Sequence, residues 1–203
     1  MLKIDFKKEM KYLYSPSKKA FGVVDVPATN FLMVSGNGDP NTSPAYQQAV
    51  QALYSVAYKI KFSSKKTFER DYTVPPLEGL WWAEDMVAFS GKLDKDAWLW
   101  TMMIMQPNWI NQEMVNAAIN EVRKKDENPA LEKLHFDNYH EGLSVQIMHI
   151  GSYDSEGPLI ADMHAYIEEN GYQSNGKHHE IYISDPRRVV PEKLKTVLRQ
   201  PVK

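Results

Sequence analysis

The chain has 203 residues, of which 43% are hydrophobic and 25% charged, a balance that gives a globular fold with a sizeable core and excludes a disordered chain. A net charge of −2 and a pI near 6.3 leave no basic face of the kind nucleic acid demands. With no cysteine, disulfides, thiolate nucleophiles and Cys-containing zinc sites are excluded, and a reducing cytoplasm is the expected location.

The opening MLKIDFKKEMKYLY is charged throughout and lacks the apolar stretch of a secretory signal, and no apolar run reaches the length of a membrane span. Residues 1–28 are read as an N-terminal extension. ATNFLMVSGNGDP predicts a strand over Phe31 to Ser35, ending in a turn with Gly36, Gly38 and Pro40. Ser43-Pro44 reads as an N-cap and first helical residue. In the helix that follows, Tyr46, Val50, Leu53, Ala57 and Ile60 form one buried stripe, with Tyr54 and Tyr58 on an adjoining face. FERDYTV and PLEGLWW read as strands around Pro75-Pro76. DKDAWLWTMMIMQ is a further strand, apolar on both sides and therefore central, with Trp98, Trp100, Met102 and Ile104 on one side.

A second helix is expected from Asn111 to Lys125, stopped by Asn128-Pro129. A strand over LEKLHFDNYHEG ends near Gly142. LSVQIMHIGSYD then repeats the first pattern: MVSGNGD from Met33 and MHIGSYD from Met148 share M-x-x-G-x-x-D at a strand end, ahead of a helix (here about Pro158 to Asn170). HHEIYISD and TVLRQPV close the chain as strands. These features predict an α+β fold, a tandem of β-α-β-β repeats whose antiparallel sheets form a central ligand groove. A single domain over 29–203 would hold the two units, about 29–108 and 141–203, joined by a helix and a strand.

Two carboxylates could carry chemistry. In HHEIYISD, Ile181 and Ile183 point one way and Glu180 and Tyr182 the other; the isoleucines are expected to face the helix and Glu180 and Tyr182 the groove. A partly desolvated glutamate there would pair with a cation or act as a general base towards water. In PPLEGLWW, Glu78 shares a side with Trp82, and Trp81 joins them only if Gly79 marks a bulge or the strand ends there. Packing is the competing explanation for Trp81, Trp82, Trp98 and Trp100, and solvation for Glu180. The histidines do not have metal-ligand spacing: His178 and His179 are adjacent on a strand, and His149 reads as a hydrogen-bonding residue. Gly36-x-Gly38 lacks the rest of a dinucleotide or phosphate-loop motif, and no Gly-x-Ser-x-Gly elbow occurs. No metal or cofactor is called for.

Taken in order, PLEGLWW, MHIGSYD, HHEIYISDPRR and PEKLKTVLRQPV resemble the GyrI-like small-molecule-binding proteins, and most of all the stand-alone branch that includes cyclopropanoid cyclopropyl hydrolases. The likeness runs from about Phe31 to the C-terminus. It implies tandem β-α-β-β units that hold a planar aromatic or cationic ligand around a late-strand carboxylate, the position of Glu180. Many relatives are fused to DNA-binding domains; here too few residues precede the first unit, and no nucleic-acid or membrane partner is expected. The hydrolase branch implies opening of the strained ring of DNA-alkylating compounds by water. Glu180 is then the base and Glu78 its rival, with Tyr153 or His149 as donor to the developing oxyanion. Trp81, Trp82, Tyr54, Trp100 and Tyr182 are the expected substrate contacts. The alternatives are a non-catalytic binder of hydrophobic or cationic ligands and a gyrase-inhibitor-like interaction protein.

Overall fold

The computed structural model describes residues 3–84 and 94–203. In chain order the elements are β1 (Lys3–Ile4), α1 (Phe6–Glu9), α2 (Lys11–Tyr14), β2 (Gly22–Val26), β3 (Thr29–Asn37), α3 (Pro44–Phe68), β4 (Asp71–Tyr72), β5 (Leu77–Trp82), β6 (Leu99–Gln106), α4 (Gln112–Arg123), β7 (His135–Tyr139), β8 (Gly142–Ile150), α5 (Gly157–Glu169), β9 (His178–Tyr182) and β10 (Lys195–Pro201). The fold is α+β. The chain divides into two units: Thr29–Tyr139 with the N-terminal residues through Phe6, and Lys7–Ala28 with His140–Lys203. Among the described residues, no helix is long and apolar enough to cross a membrane.

In the first unit the strands run antiparallel in the order β7-β3-β6-β5. The helix α3 starts where Ser43 accepts from the Tyr46 amide and Pro44 takes the first position. Its buried stripe of Ala49, Ala52, Leu53, Val56, Ala57 and Ile60 continues past Ile60 through Lys61 and Ser64, so the helix runs two turns beyond the apolar pattern. Lys61 ends in an ion pair with Asp71 (2.9 Å), and Ser64 donates to Arg70 O (2.9 Å) and accepts from Trp109 Nε1 (3.1 Å). Polar groups thus finish what the apolar stripe begins. The rings of Tyr46 in α3 lie 6.1 Å from Trp81 and 5.4 Å from Trp100, which identifies the α3 side of the sheet. Gly36 lies opposite Trp100 in the register, and a Cβ there would run into the indole ring. Glycine is required because the tryptophan lies across it.

The second unit repeats this order. Its strands run β2-β8-β10-β9, all antiparallel. In each unit the last strand of the β-α-β-β run sits between the other two, and an extra strand (β7 or β2) borders the first. One face carries α5: Met163 and Ile167 pack with Val145, Ile147, Leu198 and Val202. The other face carries α2, whose Leu13 and Tyr14 pack with Met148, Ile181, Val197 and Val26.

This corrects the expectation for β9. Ile181 packs against α2, while Glu180, paired across from Leu198, lies on the α5 side. The short helix α2, unseen in the sequence pattern, supplies the apolar partner that the isoleucine needs.

Behind β9, on the α2 side, a buried polar network pins the N-terminal segment. Glu141 bridges His179 Nδ1 (2.9 Å) and Arg199 Nη1 (3.0 Å). Arg199 also donates to Gln146 Oε1 and to Leu13 O (2.8 Å), and Gln146 donates to Tyr12 O (2.7 Å). Burial pushes the Glu141 carboxyl up, but the charges of His179 and Arg199 and their hydrogen bonds outweigh it and hold it at about 2.

Candidate functional site

The α5 face of the second unit brings titratable side chains together through its register. Thr196 in β10 pairs with Tyr182 on one side and His149 on the other; one row along, Leu198 lies between Glu180 and Ile147. Tyr182 donates its hydroxyl to Glu180 Oε2 at 2.8 Å, a bond that fixes one carboxylate oxygen. The other, Oε1, lies 3.8 Å from His178 Nε2. The Glu180 side chain is 16% exposed, so it is desolvated without being sealed off. Tyr153, in the turn after β8, meets the Tyr182 ring edge to face at 5.6 Å and is itself exposed. His149 Nε2 lies 3.2 Å from both Ser152 O and Ser155 Oγ, which anchors the ring to that same turn.

The sequence reading missed Glu156, His178 and Thr196. Glu156 directly precedes α5, is 4% exposed, and its Oε1 has no hydrogen-bond partner among the described residues. A glutamate at a helix start is ordinarily a surface residue favoured by the helix dipole, so SEGPLI carried no sign of burial. Burial pushes the Glu156 carboxyl up to about 9, with the charges of Glu180 and Asp154 adding to the rise; the nearby Thr196 hydroxyl opposes it, without a hydrogen bond of good geometry. Burial pushes Glu180 up to about 7, opposed by the Tyr182 hydrogen bond and the charge of His179. His178 is held neutral: burial lowers it to about 3, and the charges of His164 and His179 push the same way. Both of its ring nitrogens are buried without a hydrogen bond among the described residues. The face therefore presents a carboxylate that ionises near neutral pH, a protonated carboxyl, a neutral imidazole and two tyrosines. A base of that kind is suited to taking a proton from water.

The remaining sequence candidates lie in the first unit. The β5–β6 register is unbroken from Leu77 to Trp82, so Gly79 marks no bulge and the paired tryptophans point to opposite faces. Trp82 and Glu78 share the face away from α3, Trp82 half-buried and Glu78 only 2% exposed, opposite Met103. Trp81 and Trp100 lie on the α3 face; Trp81 meets Trp98 at 5.7 Å, and Trp100 is wholly buried, its Nε1 without a hydrogen bond among the described residues. Tyr54 stacks on Tyr58 and Tyr58 on Phe62, each pair at 6.3 Å, as an aromatic ladder along α3. The structure thus joins Glu180, Tyr182 and Tyr153, with His149 in the adjoining row. It places Glu78 and Trp81 on opposite faces of β5.

A structure of a conserved protein from Listeria innocua described as uncharacterized is 43% identical, with 99% of this chain and 100% of that chain covered and a TM-score of 0.90. A structure described as a hydrolase from Listeria innocua is 42% identical over 99% of this chain and 100% of that one, with a TM-score of 0.86. The EcmrR C-terminal domain is 12% identical over 91% of this chain and 97% of that one, with a TM-score of 0.55, a likeness of fold alone. No curated protein matches the chain. The family model described as the GyrI-like small molecule binding domain matches residues 20–203, and the chain belongs to that family.

Proposed function

We propose that this chain is a detoxifying hydrolase of the cytoplasm that binds planar aromatic electrophiles and opens the cyclopropyl ring of DNA-alkylating compounds with water. The observation that carries the reading is Glu180: one oxygen held by Tyr182 at 2.8 Å, the group 16% exposed, and ionisation brought to about 7 by burial. The 42% identical Listeria structures described as hydrolases support the reaction type, and the four ordered motifs support the substrate class.

In this reading Glu180 takes a proton from a water molecule whose oxygen attacks the ring carbon. The ring C–C bond breaks and its electron pair passes into the dienone, which becomes a phenolate. Tyr153 or His149 donates to that oxygen as its charge develops. Tyr182 and Tyr153, whose rings meet edge to face at 5.6 Å, supply flat aromatic surface beside Glu180. Glu78 is the rival base.

The test is incubation with a cyclopropanoid dienone, with ring-opened product followed by mass spectrometry. Wild type is expected to turn over, Glu180→Gln to lose turnover and Glu78→Gln to keep it; full turnover by Glu180→Gln rejects the assignment. The buried acids Glu156 and Glu180, both raised by desolvation, favour a second reading, a binder of cationic ligands whose charge restores their ionisation. Saturable tryptophan quenching without product supports that reading.

A further inference from the structure

We propose that His178 and Glu180 together form a site for one water molecule, held between His178 Nε2 and Glu180 Oε1 and oriented by them for attack. The inference rests on the reading of Glu180 as base only for what the water does; the site itself follows from distances and burial.

The alternation of β9 puts His178, Glu180 and Tyr182 in one row on the α5 side. Tyr182 holds Oε2 at 2.8 Å, and Oε1 is the oxygen that faces His178. Nε2 lies 3.8 Å from Oε1. That is beyond the reach of a hydrogen bond, but it is a separation expected of two polar atoms that share one oxygen at about 2.8 Å from each. His178 has a second mark of a binding group: both ring nitrogens are buried and, among the described residues, neither has a hydrogen bond. A polar group left in that state costs about 1–3 kcal/mol, which a water with partners on two sides offsets. The neighbouring histidines are engaged otherwise. His164 Nδ1 of α5 lies 3.3 Å from Ser174 Oγ, His149 is tied to Ser152 and Ser155, and His179 pairs with Glu141 on the opposite face. The His178 and Glu180 side chains are 15% and 16% exposed, so the position is sheltered and still adjoins solvent.

The proton count sets the orientation of the water. Burial keeps the His178 imidazole neutral, so it carries one N–H, and the carboxylate facing Nε2 draws that hydrogen to it. Nε2–H donates to the water oxygen, and the water donates one hydrogen to Oε1. The proton that Glu180 takes is then already directed at it, and one lone pair of the oxygen is left to form the bond to the ring carbon. On transfer the water O–H bond breaks and its proton stays on Oε1, while the imidazole keeps its own proton throughout. A cationic nitrogen does not fit this place, because it has no lone pair for Nε2–H to meet.

The experiment is a crystal structure of the ligand-free protein at about pH 8, above the value of about 7 for Glu180, with the histidine tautomers assigned by ¹⁵N NMR on the same protein. An ordered water within about 3.2 Å of both Nε2 and Oε1, and the Nε2–H tautomer of His178, are expected. His178→Phe should lose that water while the Tyr182–Glu180 bond stays; His178→Gln, whose amide can donate from a similar reach, should keep it. In ring opening, His178→Phe should lower kcat by about 10²-fold with KM nearly unchanged, and His178→Gln should recover part of the loss. A direct Nε2–Oε1 contact, no ordered water between the two, an Nδ1–H tautomer, or a water that persists in His178→Phe overturns the proposal, and so does a wild-type kcat in His178→Phe. The structure and the tautomer involve no substrate, so a failure there is distinct from failure of the hydrolase reading.

Discussion

Glu180→Gln should stabilise the folded protein, and only at neutral to alkaline pH. The folded-state value of about 7 lies above the ordinary 4.5, so between these two values the folded state holds a proton that the unfolded chain has released. Stability therefore falls as pH rises through that window. Each pH unit of separation is worth about 1.4 kcal/mol, which puts the full penalty near 3 kcal/mol once both states are ionised. Glutamine has nearly the shape of the protonated acid, and its carbonyl can still accept from Tyr182. The variant should match wild type within about 1 kcal/mol at pH 5 and exceed it by about 3 kcal/mol at pH 8. In urea, with a slope of about 2 kcal/mol/M, the midpoint should rise by about 1.5 M at pH 8 with the slope unchanged. In a thermal scan this corresponds to about 6–12 °C for a chain of this size. An equal midpoint difference at pH 5 and pH 8 would refute the reasoning, because a purely steric effect has no reason to follow ionisation.

Gly36→Ala should destabilise the fold by about 1–3 kcal/mol, read as a lower urea midpoint, because the added methyl meets the Trp100 indole in a filled core. Glu141→Gln should cost about 3–5 kcal/mol at pH 7, since Arg199 and His179 lose their buried counter-charge. Glu141 has a depressed folded value, so its stabilisation is present above the ordinary 4.5 and is lost as pH falls towards about 2; the variant's deficit in acid titration should shrink over that interval. Tyr182→Phe removes the donor that favours Glu180 ionisation, so the carboxyl should titrate at a higher pH by ¹³C NMR and turnover at pH 7 should drop.

Much of the architecture was legible in the chain because local signals and tertiary packing agree. Ser43-Pro44 announces α3 and caps it, and the shared M-x-x-G-x-x-D pattern marks β3 and β8, which occupy equivalent places in two sheets of the same strand order. The alternation in HHEIYISD separated Glu180 and Tyr182 from Ile181, but it could not say which face α5 would cover. That depended on α2, a one-turn helix too short to carry a periodicity, held by Arg199 and Gln146 from the other end of the chain. The same limit hid Glu156. Its significance comes from burial beside β9 and β10, a relation between residues far apart in sequence, whereas locally it reads as a solvated helix start. For PPLEGLWW both registers were compatible with the residues, and the unbroken pairing with β6 decides between them.

The central claim is that Glu180 is the working base, and the pH dependence of ring opening tests it most directly. With a cyclopropanoid dienone, kcat/KM for wild type should rise with an apparent pKa near 7, and Glu180→Gln should lose both the activity and that transition. A wild-type profile flat from pH 5 to 9, or a transition that persists undiminished in Glu180→Gln, would contradict the account.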